Sequence, residues 1–457
     1  MRHHILSIIT VGLMMTSVSW AEDQTPPLSL ELFTQKVLAY YPGLKAAHGD
    51  VDVALARQMQ AKAGFWPTLD LVAGYKVTND PVDVFGTLLH QERFTSSDFD
   101  LKRLNTPDRH QDLSAGVRLD LPLFDAMQTI YRARAAGENV KAAGSDEAFT
   151  RMEARLMAQD AYLNAVTLRE LAMVVNEVCK SADADLQKAK DLKDRGMVLG
   201  ADYYAARVMS GELTRVKNDL ARQDKAMRAL LNIMMGESMA KAWALPVSLQ
   251  AEDVPSEDAS ALMTMALARR PDLQALELRL KALDMDVSRA RAGDLPRVSV
   301  FADAAGDRDK VFSSGGKNFT VGLKGELALF DPARAGRVRE AQARAQRLGY
   351  EIQSLKDDIQ RAITGELARQ EAWRDNLVVF KSMSEDARQA VTFMVPLYSE
   401  GRRSIKDLIE ARRAYLQAVE AYDKAVTGLW LSRGRLLFMA GALDEDQMKQ
   451  LTQGAGL

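Results

Sequence analysis

A chain of 457 residues with 60 Lys and Arg against 62 Asp and Glu has a formal charge of −2, which lacks the basic surplus a nucleic-acid partner requires. Its single cysteine, Cys179, rules out an internal disulfide framework and reads as a small buried side chain on a helix. Past the N-terminus no run of about 18 apolar residues occurs, so no transmembrane helix is expected.

In chain order, Arg2, the mostly apolar stretch 5–18 and the small-x-small site Ser19-Trp20-Ala21 read as a secretory signal over 1–21. The apolar stretch is shorter than the roughly 20 residues a spanning helix needs. No cysteine follows the cleavage site, so no lipid anchor is expected there.

A short amphipathic helix over 28–40 stops at Pro42, and a second helix, 44–63, ends near Pro67. The same order recurs 229 positions later, with helices at 259–269 and 273–292 and prolines at 271 and 296. After each proline the period changes from helix to strand. Leu69, Leu71, Ala73 and Tyr75 alternate with Asp70, Val72, Gly74 and Lys76, predicting a strand over 68–76; a second is predicted over 112–121. The other half has matching strands over 297–305 and 318–327. Alternation with one apolar and one charged face fits a strand between lipid and water, though a half-buried soluble sheet looks the same strand by strand. What shifts the balance is that no other apolar layer exists to cover that face. The connection 77–111 reads as a long polar loop, whereas 306–317 is short.

Two very long helical patterns follow, 126–194 and 332–399, with Asp331 as N-cap and Pro332 in the first turn of the second. At 1.5 Å per residue each extends roughly 100 Å. They end at Gly196 and Gly401 and return over 202–235 and 406–438. Leu408, Ala411, Tyr415, Ala418, Tyr422, Ala425 and Leu429 step 3-4-3-4-3-4, a coiled-coil seam rich in small residues. Gly196 and Gly401, Asp202 and Asp407, Ala206 and Ala411, Arg207 and Arg412, and Gly236 and Gly441 are each 205 apart (401 − 196), which marks an internal duplication. The chain thus divides into a first repeat, 22–240, a linker, 241–258, a second repeat, 259–441, and a short polar tail, 442–457, with no assigned role. His48, His90 and His110 lack metal-ligand spacing, and no phosphate loop or nucleophile elbow is present. No enzyme activity, cofactor or metal is expected.

The expected fold is mainly α with a small β part, in a duplicated helix-strand-strand-long-helix repeat. Four strands cannot close a barrel, and open strand edges are not tolerated in lipid, so strands that meet a membrane must be shared among several chains.

The duplicated order, the segment Pro122-Leu123-Phe124-Asp125 and the pattern Tyr398-x-x-Gly401-x-x-Ser404-x-x-Asp407-Leu408 resemble the TolC family of outer-membrane efflux and secretion channels, over nearly the whole span from Leu28 to Gly441. The resemblance implies a homotrimer in the outer membrane of a Gram-negative bacterium, with a shared β-barrel of four strands per chain continued by a periplasmic α-helical barrel. It also implies contact with outer-membrane lipid, a periplasmic membrane-fusion adaptor and an inner-membrane pump of RND or ABC type. The family's periplasmic gate falls on Asp202, Tyr398, Arg403, Asp407 and Glu410, the last a Glu where the family has Asp. Arg403 and Tyr398 are then expected to reach Asp202 across the tips. Hairpin tips that contact the adaptor fall on Gly196, Val198, Leu199, Gly401, Ser404 and Ile405. Two alternatives stay open: the outlet of a type I polypeptide secretion system, and a periplasmic coiled-coil adaptor or scaffold.

Overall fold

Pro42 and Pro271 each occupy the first turn of a helix, where the missing N–H costs nothing, and the extended residue before each separates it from a preceding helix. The computed structural model describes residues 26–250, 254 and 257–456; the expected signal at 1–21 lies outside them. The elements are α1 (Leu30–Tyr40), α2 (Pro42–Ala63), β1 (Thr68–Thr78), α3 (Pro81–His90), α4 (Leu101–Asn105), β2 (His110–Asp125), α5 (Gln128–Asp194) and α6 (Gly200–Met234). The second half comprises α7 (Ala259–Arg269), α8 (Pro271–Arg291), β3 (Arg297–Arg308), β4 (Gly316–Glu326), α9 (Arg334–Ser399), α10 (Ile405–Met439) and a last helix, α11 (Glu445–Gly454). The duplication is therefore structural: α7 begins 229 positions after α1 (259 − 30) and α10 begins 205 after α6 (405 − 200). The helix expected to start at Pro332 starts two residues later, because Asp331 caps a turn at Ala333 and pairs with Arg337 instead.

β1 to β4 form one antiparallel sheet in the order β1-β2-β3-β4, and the two repeats meet at the β2–β3 pair. The register lines up like with like. Leu69, Leu119, Ala302 and Val321 form one row of opposed residues, and Leu71, Val117, Ala304 and Phe319 form the next. On the opposite face Asp70, Arg118, Asp303 and Thr320 form a polar row, in which the Arg118 Nε lies 2.6 Å from Asp303. Among the described residues nothing covers the apolar face: Leu71 is 81% exposed and Phe319 82%. β2 is longer than the alternation suggested because Phe124 and Asp125 continue the ladder beyond a bulge at Pro122. Ala126 and Met127, both in the left-handed region, then turn the chain from strand into α5.

α5 has 67 residues and α9 has 66, so each runs about 100 Å. Among the described residues no helix is long and apolar enough to cross a membrane. The main core sits partway along these helices. Here Trp430 of α10, Tyr162 of α5 and Phe33 of α1 are fully buried, with Leu245 and Leu249 from the connection between the repeats and Met448 and Leu451 from α11. The stretch read as a linker is thus a docked strap. The Trp430 Nε1 donates to the Gln250 carbonyl at 2.7 Å, and the Gln250 amide donates to Ala455 at 3.0 Å. The polar tail is likewise a packed amphipathic helix, capped by Asp444, whose side chain accepts from the Gln447 amide.

Two carboxyls sit beside this strap. Asp423 of α10 is 6% exposed and one of its oxygens has no hydrogen-bond partner. Burial, then the nearby Glu170 and Glu420, push it up to about 7. Burial also pushes Glu170 up to about 7, although the Leu249 amide donates to it. A carboxyl raised in the folded state binds more protons folded than unfolded, so stability falls as pH rises from about 4 through about 7. The thermal midpoint of the purified protein should therefore drop between pH 5 and pH 8. In Asp423→Asn/Glu170→Gln that drop should shrink; an unchanged slope would show that other groups govern it.

Candidate functional site

Both long helices end alike. Gly196 and Gly401 take φ of +74° and +73°, a conformation that favours glycine. The Met197 amide reaches back to Leu192 at 2.9 Å, and the Arg402 amide to Leu397 at 2.9 Å, so each turn satisfies the open carbonyls of its helix. The returning helices differ at their starts. Ser404 caps α10 in a reciprocal box with Asp407: the Asp407 amide donates to the Ser404 hydroxyl at 3.2 Å and the Ser404 amide to Asp407 at 3.3 Å. Leu199 stands in the equivalent place before α6, so Asp202 makes no such bond and its carboxylate is left for other work. Pro396, inside the last turn of α9, removes one helical bond close to the second tip.

The two tips lie side by side and share a cleft of about 500 Å³, lined by Met197, Val198, Leu199 and Asp202 from one and Tyr398, Arg403, Ser404 and Asp407 from the other. Four of the five expected gate residues therefore come together; Glu410 lies on the exposed face of α10 outside the cleft. Within one chain the expected bonds are not made. Among the described residues Arg403 forms no ion pair, and the Tyr398 hydroxyl has no partner although the residue is 6% exposed. Burial, and then the carboxylate of Asp185, hold the Tyr398 phenol above its usual range, so it stays protonated and available as a donor. Of the expected docking residues, Leu199 is 72% exposed, but Ile405 is fully buried against Leu408 and Ile409, and its side chain offers no surface. Met197, 70% exposed beside Leu199, presents apolar surface that the duplicated pattern did not single out.

Sequence reasoning also missed the strongest polar contact near the tips. Arg412 of α10 donates from Nε at 3.1 Å and from Nη2 at 2.5 Å to one oxygen of Asp185 on α5, and both side chains are buried. The pair ties the two hairpins together two turns above Ser404. A signal was present: Asp185 falls between Ala182 and Ala189, a charge at a seam position of the coiled coil, and Arg412 is one of the duplicated residues. Removing one partner leaves a buried charge unpaired, which typically costs about 3–5 kcal/mol. Arg412→Met or Asp185→Leu alone should therefore lower thermal stability sharply, while the double substitution should recover most of the loss. Additive losses would mean the two residues act separately.

A protein-family model described as "Outer membrane efflux protein" matches residues 33–232 and 262–442. The chain is 26% identical over 274 residues to the pyoverdine export outer membrane protein OpmQ of Pseudomonas putida, which covers 57% of this chain and 55% of OpmQ. It is 23% identical over 344 residues to the alkaline protease secretion protein AprF of Pseudomonas aeruginosa, covering 73% of this chain and 70% of AprF. The chain thus spans little more than half the length of the first of these relatives. In fold it is similar to the crystal structure of the Campylobacter jejuni CmeC outer membrane channel, with a TM-score of 0.77 at 17% identity, covering 99% of this chain and 98% of that one.

Proposed function

The chain belongs to the outer membrane efflux protein family, and on that premise we propose that three copies form the exit duct of a tripartite efflux or secretion system, with a partner-opened gate at the hairpin tips. The observation that carries this reading is the sheet. Its apolar face is uncovered, and both of its edges, β1 and β4, are unpaired, a state that lipid does not tolerate. Three sheets of four strands give twelve, an even number that lets β4 of one copy meet β1 of the next in antiparallel fashion. The long helices then continue the barrel into the periplasm. The protein works as a passage in the outer membrane rather than as an enzyme.

At the far end three copies of the tip cleft converge. Arg403, exposed and without an ion-pair partner among the described residues, reaches Asp202 of a neighbour, and the protonated Tyr398 hydroxyl supplies a second donor. Such charge-assisted bonds are individually modest. They suit a gate that opens when a docking partner supplies a few kcal/mol of differential binding. Asp407 and Glu410 face the axis as acidic rings, and Asp407 has a second task as half of the α10 cap. The partner is a periplasmic membrane-fusion adaptor that grips the tips through Met197, Leu199 and the glycine turns, together with an inner-membrane pump of RND or ABC type. The cargo reading is efflux of small molecules; the relative OpmQ is named for pyoverdine export. The match to AprF over 73% of the chain supports a second reading, the outlet of a type I polypeptide secretion system.

Planar-bilayer recording tests the gate. Tyr398→Phe/Arg403→Ser should raise single-channel conductance several-fold with the trimer intact. Asp407→Asn removes charge while keeping an acceptor for the cap, so it should weaken cation preference without opening the channel. A double variant that conducts like wild type while still trimeric would show that this network does not hold the entrance shut.

A further inference from the structure

The connection between β1 and β2 is a folded unit docked on the sheet rather than a free loop. Asp80 caps α3 by accepting from the Val82 and Asp83 amides. Phe85, Phe94 and Phe99 stack edge to face at 5.0 Å between successive rings, which gives residues 81–105 a small aromatic core of their own. Val84, Thr87 and Gln91 lie on one face of the helix and are buried, Gln91 to 2% exposure.

Side-chain contacts between this unit and the sheet reach β1, β2, β4 and the residue just past β3, and the strand side chains involved all lie on the same side of the sheet. Lys76 of β1 lies 3.5 Å from Asp83. Asp112 of β2 accepts from the Gln91 Nε2 at 2.9 Å. Asn318 of β4 donates to the His90 carbonyl at 3.2 Å and to Asp307 of β3 at 2.9 Å, leaving Asp307 6% exposed. Just past β3, Asp309 pairs with Arg93 at 2.5 Å. At Gly316 a Cβ would overlap the His90 carbonyl oxygen, so glycine is what lets the helix end approach this strand. By strand parity Lys76, Asp112, Asp307 and Asn318 share the face of Asp70, Arg118, Asp303 and Thr320, the polar face. The ten residues of α3 run about 15 Å, close to the roughly 14 Å across four strands. The helix therefore crosses the sheet at the end remote from the long helices.

Resting on the channel reading above, we infer that residues 81–105 are a lid, folded inward onto the water-lining wall at the extracellular end of the barrel, which excludes bulky solutes from outside. Twelve strands about 4.8 Å apart and tilted about 40° close at roughly 24 Å across. A helix is about 10 Å thick. Three lids on the inner wall therefore leave only a few ångströms at the axis, enough for ions and too little for large solutes or a polypeptide. Passage of large cargo requires the lids to leave the wall, and the contacts that hold them are a handful of polar ones. The periplasmic tips and the lids are then two closures in series.

Reagent access from outside tests the lid. With Cys179→Ala as background, Thr320→Cys places one thiol on the polar face of β4, and Phe312→Cys, at the fully exposed tip of the β3–β4 turn, serves as control. Intact cells are treated with a small impermeant maleimide or with a maleimide on a polyethylene glycol of about 5 kDa. The small reagent should label both positions, whereas the large one should label Phe312→Cys but react with Thr320→Cys at least tenfold more slowly. Gln91→Glu/Arg93→Glu sets carboxylates against Asp112 and Asp309; it should abolish that discrimination, and adding Asp112→Asn/Asp309→Arg should restore it. Trimer yield is measured for each variant. Equal labelling of Thr320→Cys by both reagents with the native lid overturns the lid. If neither reagent reaches Thr320→Cys in any trimeric variant while Phe312→Cys reacts, the polar face does not line an open channel, and the barrel reading itself falls.

Discussion

Backbone amide and carbonyl groups on the outer edges of β1 and β4 have no strand partner among the described residues, and the rest of the structure depends on how they are satisfied. In water such edges cost little, but beside the uncovered row of Leu71, Val117 and Phe319 they would face lipid, where each unpaired group costs several kcal/mol. The chain cannot satisfy them itself, because the right-handed twist of four strands does not bring β4 round to β1. Only copies of the same sheet supply the missing edges in matching register. Once three sheets close, the long helices that leave them must stand side by side, and their hairpin tips must meet around one axis.

Duplication supplies this geometry with few distinct parts, and the useful differences lie where the copies have diverged. The second tip carries Ser404 and closes a capping box with Asp407; the first has Leu199 in that place, which frees Asp202 and exposes an apolar side chain. The Asp185–Arg412 pair joins α5 to α10 across the repeats, so it makes the two hairpins of one chain move as a unit. In the proposed gate, the contacts that open it then form and break between chains rather than within one. This agrees with the Tyr398 hydroxyl finding no hydrogen-bond partner, and the Arg403 side chain no ion pair, among the described residues. At the other end of the sheet the copies differ more: the β3–β4 connection is a short turn, while the β1–β2 connection has grown into a helical unit that the turn helps to hold.

Much of this was legible in the sequence because the elements are bounded by residues with strong local preferences. Prolines 42 and 271 and glycines 196 and 401 mark helix ends to within a residue or two, and strand alternation separated the apolar face from the polar one. Local pattern failed where tertiary contacts decide. The tail after Gly441 looked polar, yet Met448, Leu451 and Ala455 lie on one stripe and pack beneath Trp430. The strap around Leu249 looked like a linker because its apolar residues are spaced by prolines rather than by a helical period. The 77–111 segment, dense in Asp, Ser and Pro, hides an aromatic core of three well-spaced phenylalanines. Asp185 and Arg412 lie 227 positions apart, and no periodicity links them.

The central claim is that closure of the sheet edges dictates the assembly. Electron cryomicroscopy of the protein extracted from outer membranes into lipid nanodiscs tests it most directly. The account predicts threefold symmetry and a continuous twelve-stranded barrel, with β4 of each copy hydrogen-bonded to β1 of the next, the rows of Leu71 and Leu119 outward and Arg118 and Asp303 inward. A particle in which β1 or β4 stays unpaired in lipid, or in which the apolar rows pack against protein, would contradict it.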